Sequence, residues 1–232
     1  MDKIELIKEA IEKADNFVSG LSVEAINVPF LGSLKNRALL NNLGKLSTRY
    51  GEVGCHRGGS YCSTVYGNDN LVTATVIDSF ESDITKNEGA EADFLRNSAA
   101  FTPVGTKLKL IKSDCFNIDF KDVQQPIDLY LFDGPHGEED QAKAITYYLP
   151  VLADTFIFCC DDYGWDDVRK GTQRGIKEAG LEVLFERELV TEEEYLNTSW
   201  WTGFYVALLK KPATKTPTPK TPKTKKSTTK KK

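Results

Sequence analysis

The sequence predicts an α/β protein with a doubly wound, mostly parallel sheet and an antiparallel edge strand. Beyond residue 47, short apolar runs alternate with stretches of helical character. This alternation is typical of βαβ units and of a parallel sheet. The last two apolar runs follow one another without a full helix between them, so we expect them to pair antiparallel at the sheet edge.

Residues 1–47 are predicted to form a helical cover over this sheet. Within residues 4–21, apolar side chains recur at spacings of three and four, which indicates an amphipathic helix. Asp2 with Glu5 matches a capping box at its start. A second helix is predicted at residues 36–46. The apolar stripe of the first helix is typical of a core surface or a dimer interface, and we predict from it a homodimer through this helix.

The sheet domain is predicted to span residues 48–209. Its apolar runs, which we interpret as strands, cover residues 49–54, 71–78, 107–112, 127–133, 155–160, 181–187 and 204–209. Helices are predicted after the first, second, fourth and fifth of them, near residues 59–66, 88–99, 137–149 and 166–179. The connection 188–203 is long, and loops of this length are uncommon unless they serve a function.

Residues 210–232 differ sharply from the rest of the chain in composition. They contain ten of the 30 Lys and Arg residues, no acidic residue and no aromatic residue. Such a segment cannot bury enough apolar surface to offset chain entropy, so we predict a disordered tail. The rest of the chain keeps 20 basic against 34 acidic residues, a net charge of −14, which argues against a nucleic-acid groove there. The tail is predicted either to contact polyanions or to act only as a solubilising segment.

The cysteine content and the hydropathy of the sequence bear on the cellular compartment of the protein. The five cysteines are odd in number, form no C-x-x-C pair and include the adjacent pair Cys159 and Cys160, so reduced thiols and a cytoplasmic, reducing compartment are predicted. Charged residues occur throughout the first twenty positions, so we predict no signal peptide. No apolar run approaches the ~18 residues that span a membrane.

Acidic residues follow two of the predicted strands. Asp133 ends the run 127–133, and Asp161 and Asp162 follow the run 155–160. Because ligands bind at the carboxyl ends of strands in an open α/β sheet, we expect these acids to converge. Crowded carboxylates repel each other unless a cation or shared protons offset the repulsion, and oxygen ligands suit Mg²⁺. The sequence therefore predicts a metal site, with simple helix capping by these acids as the alternative.

A glycine-rich turn, Glu52-Val-Gly-Cys-His-Arg-Gly-Gly-Ser60, follows the first predicted strand. Glycine allows sharp turns and close approach of the backbone to a ligand, although a tight turn without a ligand would also explain it. The turn matches neither the dinucleotide fingerprint G-x-G-x-x-G nor the P-loop. Asp78, at the end of the second strand, is at a position suited to a ribose diol. Asp114 follows the third strand and could receive an adenine amino group, so an adenosine-bearing ligand is predicted.

These residues together resemble the class I S-adenosylmethionine-dependent methyltransferases. The resemblance is strongest to the small metal-dependent O-methyltransferases of the sugar and catechol types, and it covers residues 48–209. It is carried by the glycine-rich turn, Asp78, Asp114, Asp133-Gly-Pro-His136 and Asp161-Asp-Tyr163. It implies a Rossmann-like, seven-stranded sheet, S-adenosylmethionine as the cofactor, and Mg²⁺ (or Mn²⁺) as an assisting cation.

The resemblance also implies a role for each matching residue. The cofactor-binding set is Glu52, Gly54, Gly58, Ser60, Asp78, Asp114 and Asp133, with Glu52 near the amino group of the cofactor. The metal set is Asp133, Asp161 and Asp162. Sugar-methylating relatives have a second acid where this chain has Pro135, so His136, able to move protons near neutral pH, becomes the candidate base beside Asp133. The alternative for His136 is a role in supporting the metal ligands or in capping the following helix.

The predicted function is methylation of a sugar or glycan hydroxyl, with a catechol-like small molecule as the second choice of acceptor. Trp165, Trp200, Trp201 and Tyr163 are predicted to supply an aromatic wall for the acceptor, with at least one of the tryptophans expected to lie in the core instead. Two alternatives belong to other classes. One is a nicotinamide-dependent oxidoreductase on a similar sheet, and the other is a non-catalytic module that keeps the methyltransferase fold.

Overall fold

The computed structural model describes residues 2–81 and 89–212. The helices in this part of the chain are α1 (Lys3–Asp15), α2 (Val23–Ile26), α3 (Leu34–Gly44), α4 (Gly59–Val65), α5 (Ala90–Phe101), α6 (Glu138–Thr146) and α7 (Asp166–Glu178). The strands are β1 (Arg49–Val53), β2 (Thr73–Asp78), β3 (Lys107–Lys112), β4 (Ile127–Phe132), β5 (Leu152–Asp161), β6 (Glu182–Leu189) and β7 (Phe204–Lys210). Every predicted strand is present, with bounds that differ by at most three residues.

The strands of the described residues form one seven-stranded sheet in the order β3-β2-β1-β4-β5-β7-β6. The first five are parallel to one another, and β7 runs antiparallel to both β5 and β6. The predicted Rossmann-like, doubly wound sheet with antiparallel pairing at one edge is therefore confirmed. The chain order reverses between β1 and β4, and a crevice for ligands forms at such a switch point.

Helices cover both faces of the sheet, so its central strands are buried on both sides. In β5, residues 156–160 are fully buried, and their side chains alternate between two separate cores. Strands buried on both faces have nearly continuous apolar sequences. This explains why β5 was recognisable as an apolar run without any polar alternation.

The N-terminal helices belong to one of these cores. The stripe Ile7, Ala10, Ile11 and Ala14 of α1 is buried against α3 within this core. The stripe is thus observed as a core surface, and a homodimer through α1 stays a prediction. Two local predictions are corrected: α1 ends at Asp15, and the Asp2 side chain makes no capping hydrogen bond.

The C-terminal boundary also differs from the prediction. Strand β7 includes Lys210, and the backbone N–H of Lys211 donates to the carbonyl oxygen of Asp154 at 2.8 Å. Any tail therefore begins after Lys211, because both residues are fixed to the sheet. Residues 213–232, for which disorder is predicted, lie outside the described residues. Within the described part, no helix has the length and apolar character needed to cross a membrane.

Candidate active site

A pocket of about 1010 Å³ opens at the carboxyl ends of β1, β2, β4 and β5. Of the residues singled out in the sequence, it is lined by Gly54, Asp78, Asp114, Asp133, His136, Asp161, Asp162, Trp165 and Trp201. Ser60 lines a small neighbouring cavity that shares Gly54 and Asp133 with this pocket. Glu52 and Gly58 line neither cavity. Parallel strands that all end at one edge explain why residues so distant in sequence meet here.

The glycine turn has the backbone geometry that requires glycine. Gly54 has φ +83°, and a Cβ there would lie 1.8 Å from the carbonyl oxygen of Asp133. Gly58 has φ +90° and is the N-cap of α4. Its role is thus to set the turn into the helix, since it does not line the pocket.

Asp78 fixes this turn from the neighbouring strand. Its Oδ2 accepts hydrogen bonds from the backbone N–H groups of Cys55 and His56, both at 3.0 Å. Its Oδ1 accepts one from the N–H of Phe80 at 2.7 Å. The sequence analysis predicted a ligand-binding acid at this position but missed this bracing role, which depends on the register of β2 against β1.

Glu52 is fully buried behind Ser60. The Ser60 hydroxyl donates to Oε1 of Glu52, and the Tyr50 hydroxyl donates to Oε2 at 3.0 Å. Burial raises the pKa of Glu52 to about 8, although these two hydrogen bonds oppose the shift. The carboxyl group is therefore part of a buried network that reaches the cavity only through Ser60.

The structure brings together a smaller acidic group than the sequence predicts. Among the described residues, Asp133, His136 and Asp162 offer ligand atoms that all lie within 4.8 Å of one another. Nε2 of His136 is 2.7 Å from Oδ2 of Asp162 and 3.9 Å from Oδ1 of Asp133. Nε2 is nevertheless buried without an aligned hydrogen-bond partner in the described part of the chain.

These groups shift one another's pKa. Burial raises the pKa of Asp133 to about 6, and the charge of Asp162 adds to this effect. Burial alone would lower the pKa of His136, but the carboxylates of Asp133 and Asp162 raise it to about 10. With only these side chains present, the imidazole is thus a cation paired with two carboxylates.

Asp162 is held by a residue that the sequence analysis missed. The Thr202 hydroxyl, just before β7, donates to Oδ1 of Asp162. Asp162 itself has φ +55°, a left-handed conformation that is uncommon for residues other than glycine, asparagine and aspartate. No sequence signal marks Thr202, because its position beside Asp162 follows from the antiparallel pairing of β7 with β5.

Asp161 is not part of this acidic group, although it lines the pocket. It is only 5% exposed, and its Oδ1 accepts a hydrogen bond from the side-chain amide of Asn36 at 3.4 Å. Burial raises its pKa well above the usual range, and the charges of Asp133 and Asp162 raise it further. Of the three carboxylates predicted to form the metal set, the structure thus groups two with His136 and ties the third to α3.

Asp114 lies at the other end of the pocket, after β3. Its Oδ1 accepts a hydrogen bond from the N–H of Phe116 at 2.7 Å, and Phe116 also lines the pocket. The Phe116 ring is stacked on Phe132, with ring centroids 6.3 Å apart. The arrangement offers a carboxylate beside an aromatic face.

The predicted aromatic wall is only partly observed. Trp165 and Trp201 line the pocket, and the Trp165 ring lies 5.0 Å from the ring of His136. Tyr163 and Trp200 are buried in the cores and line no part of it. Tyr195, which the sequence analysis did not select, lines the pocket and contacts Trp201 edge-on at 5.5 Å.

Comparison with known proteins adds to this geometry. Residues 52–163 match a family model described as "Methyltransferase domain". No curated protein matches the chain. The O-methyltransferase from Bacillus cereus, solved in complex with SAH, is 12% identical, with a TM-score of 0.53 over 90% of this chain and 93% of that chain.

Two further solved structures are similar to the same extent. The O-methyltransferase from Streptomyces achromogenes involved in tomaymycin synthesis, in complex with SAM, is 15% identical, with a TM-score of 0.53 over 90% of this chain and 91% of that chain. The SAH-bound methyltransferase from Podospora anserina is 15% identical, with a TM-score of 0.52 over 90% and 88%.

At these identities the solved structures establish the fold, and the family match establishes the class of domain. The oxidoreductase alternative is wrong, since the matched residues include both the glycine turn and the acids after β4 and β5. Residues 52–163 are thus a methyltransferase domain, and the chain has the fold of the class I S-adenosylmethionine-dependent methyltransferases.

Proposed function

We propose that the protein is an S-adenosylmethionine-dependent O-methyltransferase assisted by a divalent cation. One observation carries the proposal: a single pocket joins the glycine turn after β1 to the group Asp133, His136 and Asp162. A cofactor and an acceptor can therefore bind side by side, which methyl transfer requires because the reacting atoms must be aligned. The O-methyltransferases from Bacillus cereus and Streptomyces achromogenes support oxygen as the acceptor atom.

The cofactor is proposed to bind along the glycine turn. Gly54 and Ser60, which line the small cavity beside the pocket, are proposed to contact the methionine part, with Glu52 behind Ser60. Asp78 is proposed to bind the ribose hydroxyls while it braces the turn, since each carboxylate oxygen can accept more than one hydrogen bond. Asp114 is proposed to receive the adenine amino group beside Phe116.

The acidic group fits a divalent cation, either Mg²⁺ or Mn²⁺. Carboxylate oxygens from two neighbouring strands lie close together, and these ions prefer oxygen ligands. Nε2 of His136, buried beside these carboxylates without an aligned hydrogen-bond partner among the described residues, also supports a ligand at this position. Asp133 and Asp162 would hold the cation, with Asp161 as the third ligand that the sequence predicts. When bound, the cation supplies a Lewis acid that orients the acceptor and lowers the pKa of its hydroxyl.

His136 is proposed to receive the proton of the acceptor hydroxyl. While Asp133 and Asp162 carry uncompensated charge, the imidazole is a cation with a pKa of about 10, so it would become a base only once a bound divalent cation offsets those charges and lowers that pKa. Asp133 and Asp162 then stabilise the imidazolium that forms. The methyl group of the cofactor is already activated, so the remaining task of the protein is to align the acceptor oxygen and exclude water.

The proposed acceptor is a sugar or glycan hydroxyl, with a catechol-like molecule as the second candidate. Trp165 lies beside His136, and Trp201 and Tyr195 add further aromatic faces to the pocket wall. Such faces suit the apolar side of a sugar ring or an aromatic ring.

The free thiols of all five cysteines support the further proposal of a reducing compartment such as the cytoplasm.

The test is a methyl-transfer screen with labelled S-adenosylmethionine over sugars, nucleotide sugars and catechols, with and without Mn²⁺ or Mg²⁺. Transfer to a hydroxyl that chelator abolishes is the expected result. Thermal unfolding with the cofactor runs in parallel, because a ligand that binds only the folded state raises the melting temperature. Full transfer in excess chelator would refute the cation. A cofactor-induced shift without transfer to any acceptor would instead favour the non-catalytic module.

A further inference from the structure

Asn36 lies in α3, outside the matched methyltransferase residues, yet its side chain contacts the acids of the pocket. It is fully buried, and its Nδ2 donates to Oδ1 of Asp161 at 3.4 Å. The two residues are 125 positions apart in sequence. The contact therefore exists only because α3 packs over the carboxyl end of β5.

The orientation of the Asn36 side-chain amide is fixed by a second residue, Ser33. The Ser33 hydroxyl donates to Oδ1 of Asn36 at 2.6 Å and accepts a hydrogen bond from the backbone N–H of Asn36 at 3.2 Å. With its oxygen occupied by a donor, the amide presents its NH₂ group to Asp161. Ser33 is also the N-cap of α3, so the first turn of the helix and the amide are held by one residue.

The start of α3 is attached to the acceptor side of the pocket as well. The N–H of Leu34 donates to the carbonyl oxygen of Asn197, which lies in the loop between β6 and β7. That loop also carries Tyr195 and Trp201, which line the pocket. Leu31, just before α3, lines the same pocket. Residues of the N-terminal region thus contribute to the site at several points.

We propose that Asn36 is a positioning residue of the active site, which holds the Asp161 carboxylate at the wall of the pocket so that it can complete the group Asp133 and Asp162 when a divalent cation binds. This inference rests on the cation proposed above. The Asn36 amide engages one Asp161 oxygen and leaves the second available as a ligand. Hydrogen-bond partners that orient metal ligands change metal affinity by about 10- to 100-fold when they are removed. The N-terminal region is therefore a working part of the site and not only a cover.

The test compares two asparagines of α3. Asn36→Leu removes the amide at nearly constant shape. Asn41→Ala is the matched control, because Asn41 is equally buried but bonds only to the backbone at Gly20, Ser63 and Tyr66. Mn²⁺ binding is measured by electron paramagnetic resonance, and S-adenosylmethionine binding by calorimetry.

We expect Asn36→Leu to raise the Kd for Mn²⁺ by about 10- to 100-fold without changing the Kd for the cofactor. Excess Mn²⁺ should then restore kcat, and Asn41→Ala should keep the Mn²⁺ affinity of the wild type. Ser33→Ala, which frees the amide but leaves it in place, should raise the Kd for Mn²⁺ by a smaller factor. Ser33→Ala keeps the test decisive if Asn36→Leu does not fold.

Several results would overturn the inference. Unchanged Mn²⁺ affinity in both the Asn36 and the Ser33 variants would remove the positioning role while leaving the proposed cation site intact. Equal losses of Mn²⁺ and cofactor affinity in the Asn36 and Asn41 variants would assign both residues to the scaffold. A wild-type protein that transfers methyl groups but binds no Mn²⁺ would overturn this inference together with the proposed cation.

Discussion

A single buried carboxyl group, that of Glu52, gives the protein a predictable dependence of stability on pH. Burial raises its pKa from 4.5 to about 8. Because the folded-state pKa lies above the unfolded value, the folded protein binds the proton more tightly. The resulting stability is fully present below pH 4.5 and is lost as the pH rises through about 8.

Glu52→Gln removes this titration at nearly constant shape. Between pH 4.5 and about 8, we expect the free energy of unfolding of the wild type to fall relative to that of the variant. The slope should be about 1.4 kcal/mol per pH unit. Urea unfolding at a series of pH values measures it. Parallel pH profiles for the two proteins would show that Glu52 is ionised in the folded state, contrary to this prediction.

His136 can be tested separately from the carboxylates that surround it. His136→Gln keeps a polar side chain of similar reach but removes the base. If His136 takes the hydroxyl proton, kcat should fall by about 100-fold or more, while the acceptor KM and the Mn²⁺ affinity change little. Steady-state kinetics and Mn²⁺ titration provide the two readouts. A loss of Mn²⁺ affinity that accounts for the loss of kcat would make His136 a ligand instead.

Site residues could be predicted from the sequence where they lie at the ends of strands. Asp133 and Asp162 follow strands, so their meeting could be predicted from the rule for parallel sheets. Thr202 and Asn36 contact Asp162 and Asp161 across 40 and 125 positions of sequence. Those contacts depend on how β7 and α3 pack, which no local pattern encodes.

At the scale of elements, the loop between β6 and β7 places one of its two tryptophans in a core and the other in the wall of the pocket. Trp200 is 6% exposed and belongs to the core that contains the N-terminal helices. Trp201 lines the pocket and has φ +59°. From the sequence both were candidates for one aromatic wall, and at least one tryptophan was expected in the core without any indication of which. Adjacent residues in an irregular loop have no fixed periodicity, so only the fold distinguishes the two.

The two tryptophans form a matched pair for mutation. Trp200→Ala should destabilise the protein by about 3–5 kcal/mol, because it removes a large core side chain. Trp201→Ala should change the free energy of unfolding much less and should lower kcat/KM for the acceptor, mainly by raising KM, because an aromatic face of the pocket is lost. Urea unfolding and steady-state kinetics separate these effects. Equal destabilisation by both changes would contradict the division.

Element boundaries were predicted best where burial makes the apolar pattern continuous. Strands β1, β2, β4 and β5 could be located from their apolar runs because the helices cover both faces of the sheet there, whereas β3, at the sheet edge, alternates between exposed and half-buried residues. The first helix was predicted too long, since Val18 and Leu21 continue its spacing. In the structure α1 stops at Asp15, and Val18 is 51% exposed. Apolar periodicity alone could not reveal that the chain turns away from the core there.

At the scale of the whole molecule, the charge is divided between the acidic folded part and the basic C-terminal segment. The pairing of β7 with β5 sets Phe204 beside Asp161 and Lys210 beside Thr155. Strand β7 thus starts at the active-site edge of the sheet and ends at the opposite edge. The described chain therefore ends at the edge away from the pocket, and we expect catalysis on a small acceptor to be independent of the residues that follow.

Deletion of residues 213–232 should leave the melting temperature and the kcat/KM for a small uncharged acceptor at their wild-type values. The reason is that Lys210 and Lys211, whose backbone completes the sheet edge beside Asp154, are retained. The same deletion should abolish salt-sensitive retention on a polyanionic column, because the remaining chain is acidic. Deletion from residue 206 onward is the control and should destabilise the fold, because it removes most of β7. Loss of the cooperative unfolding transition in the shorter deletion would contradict the prediction and assign the segment to the folded structure.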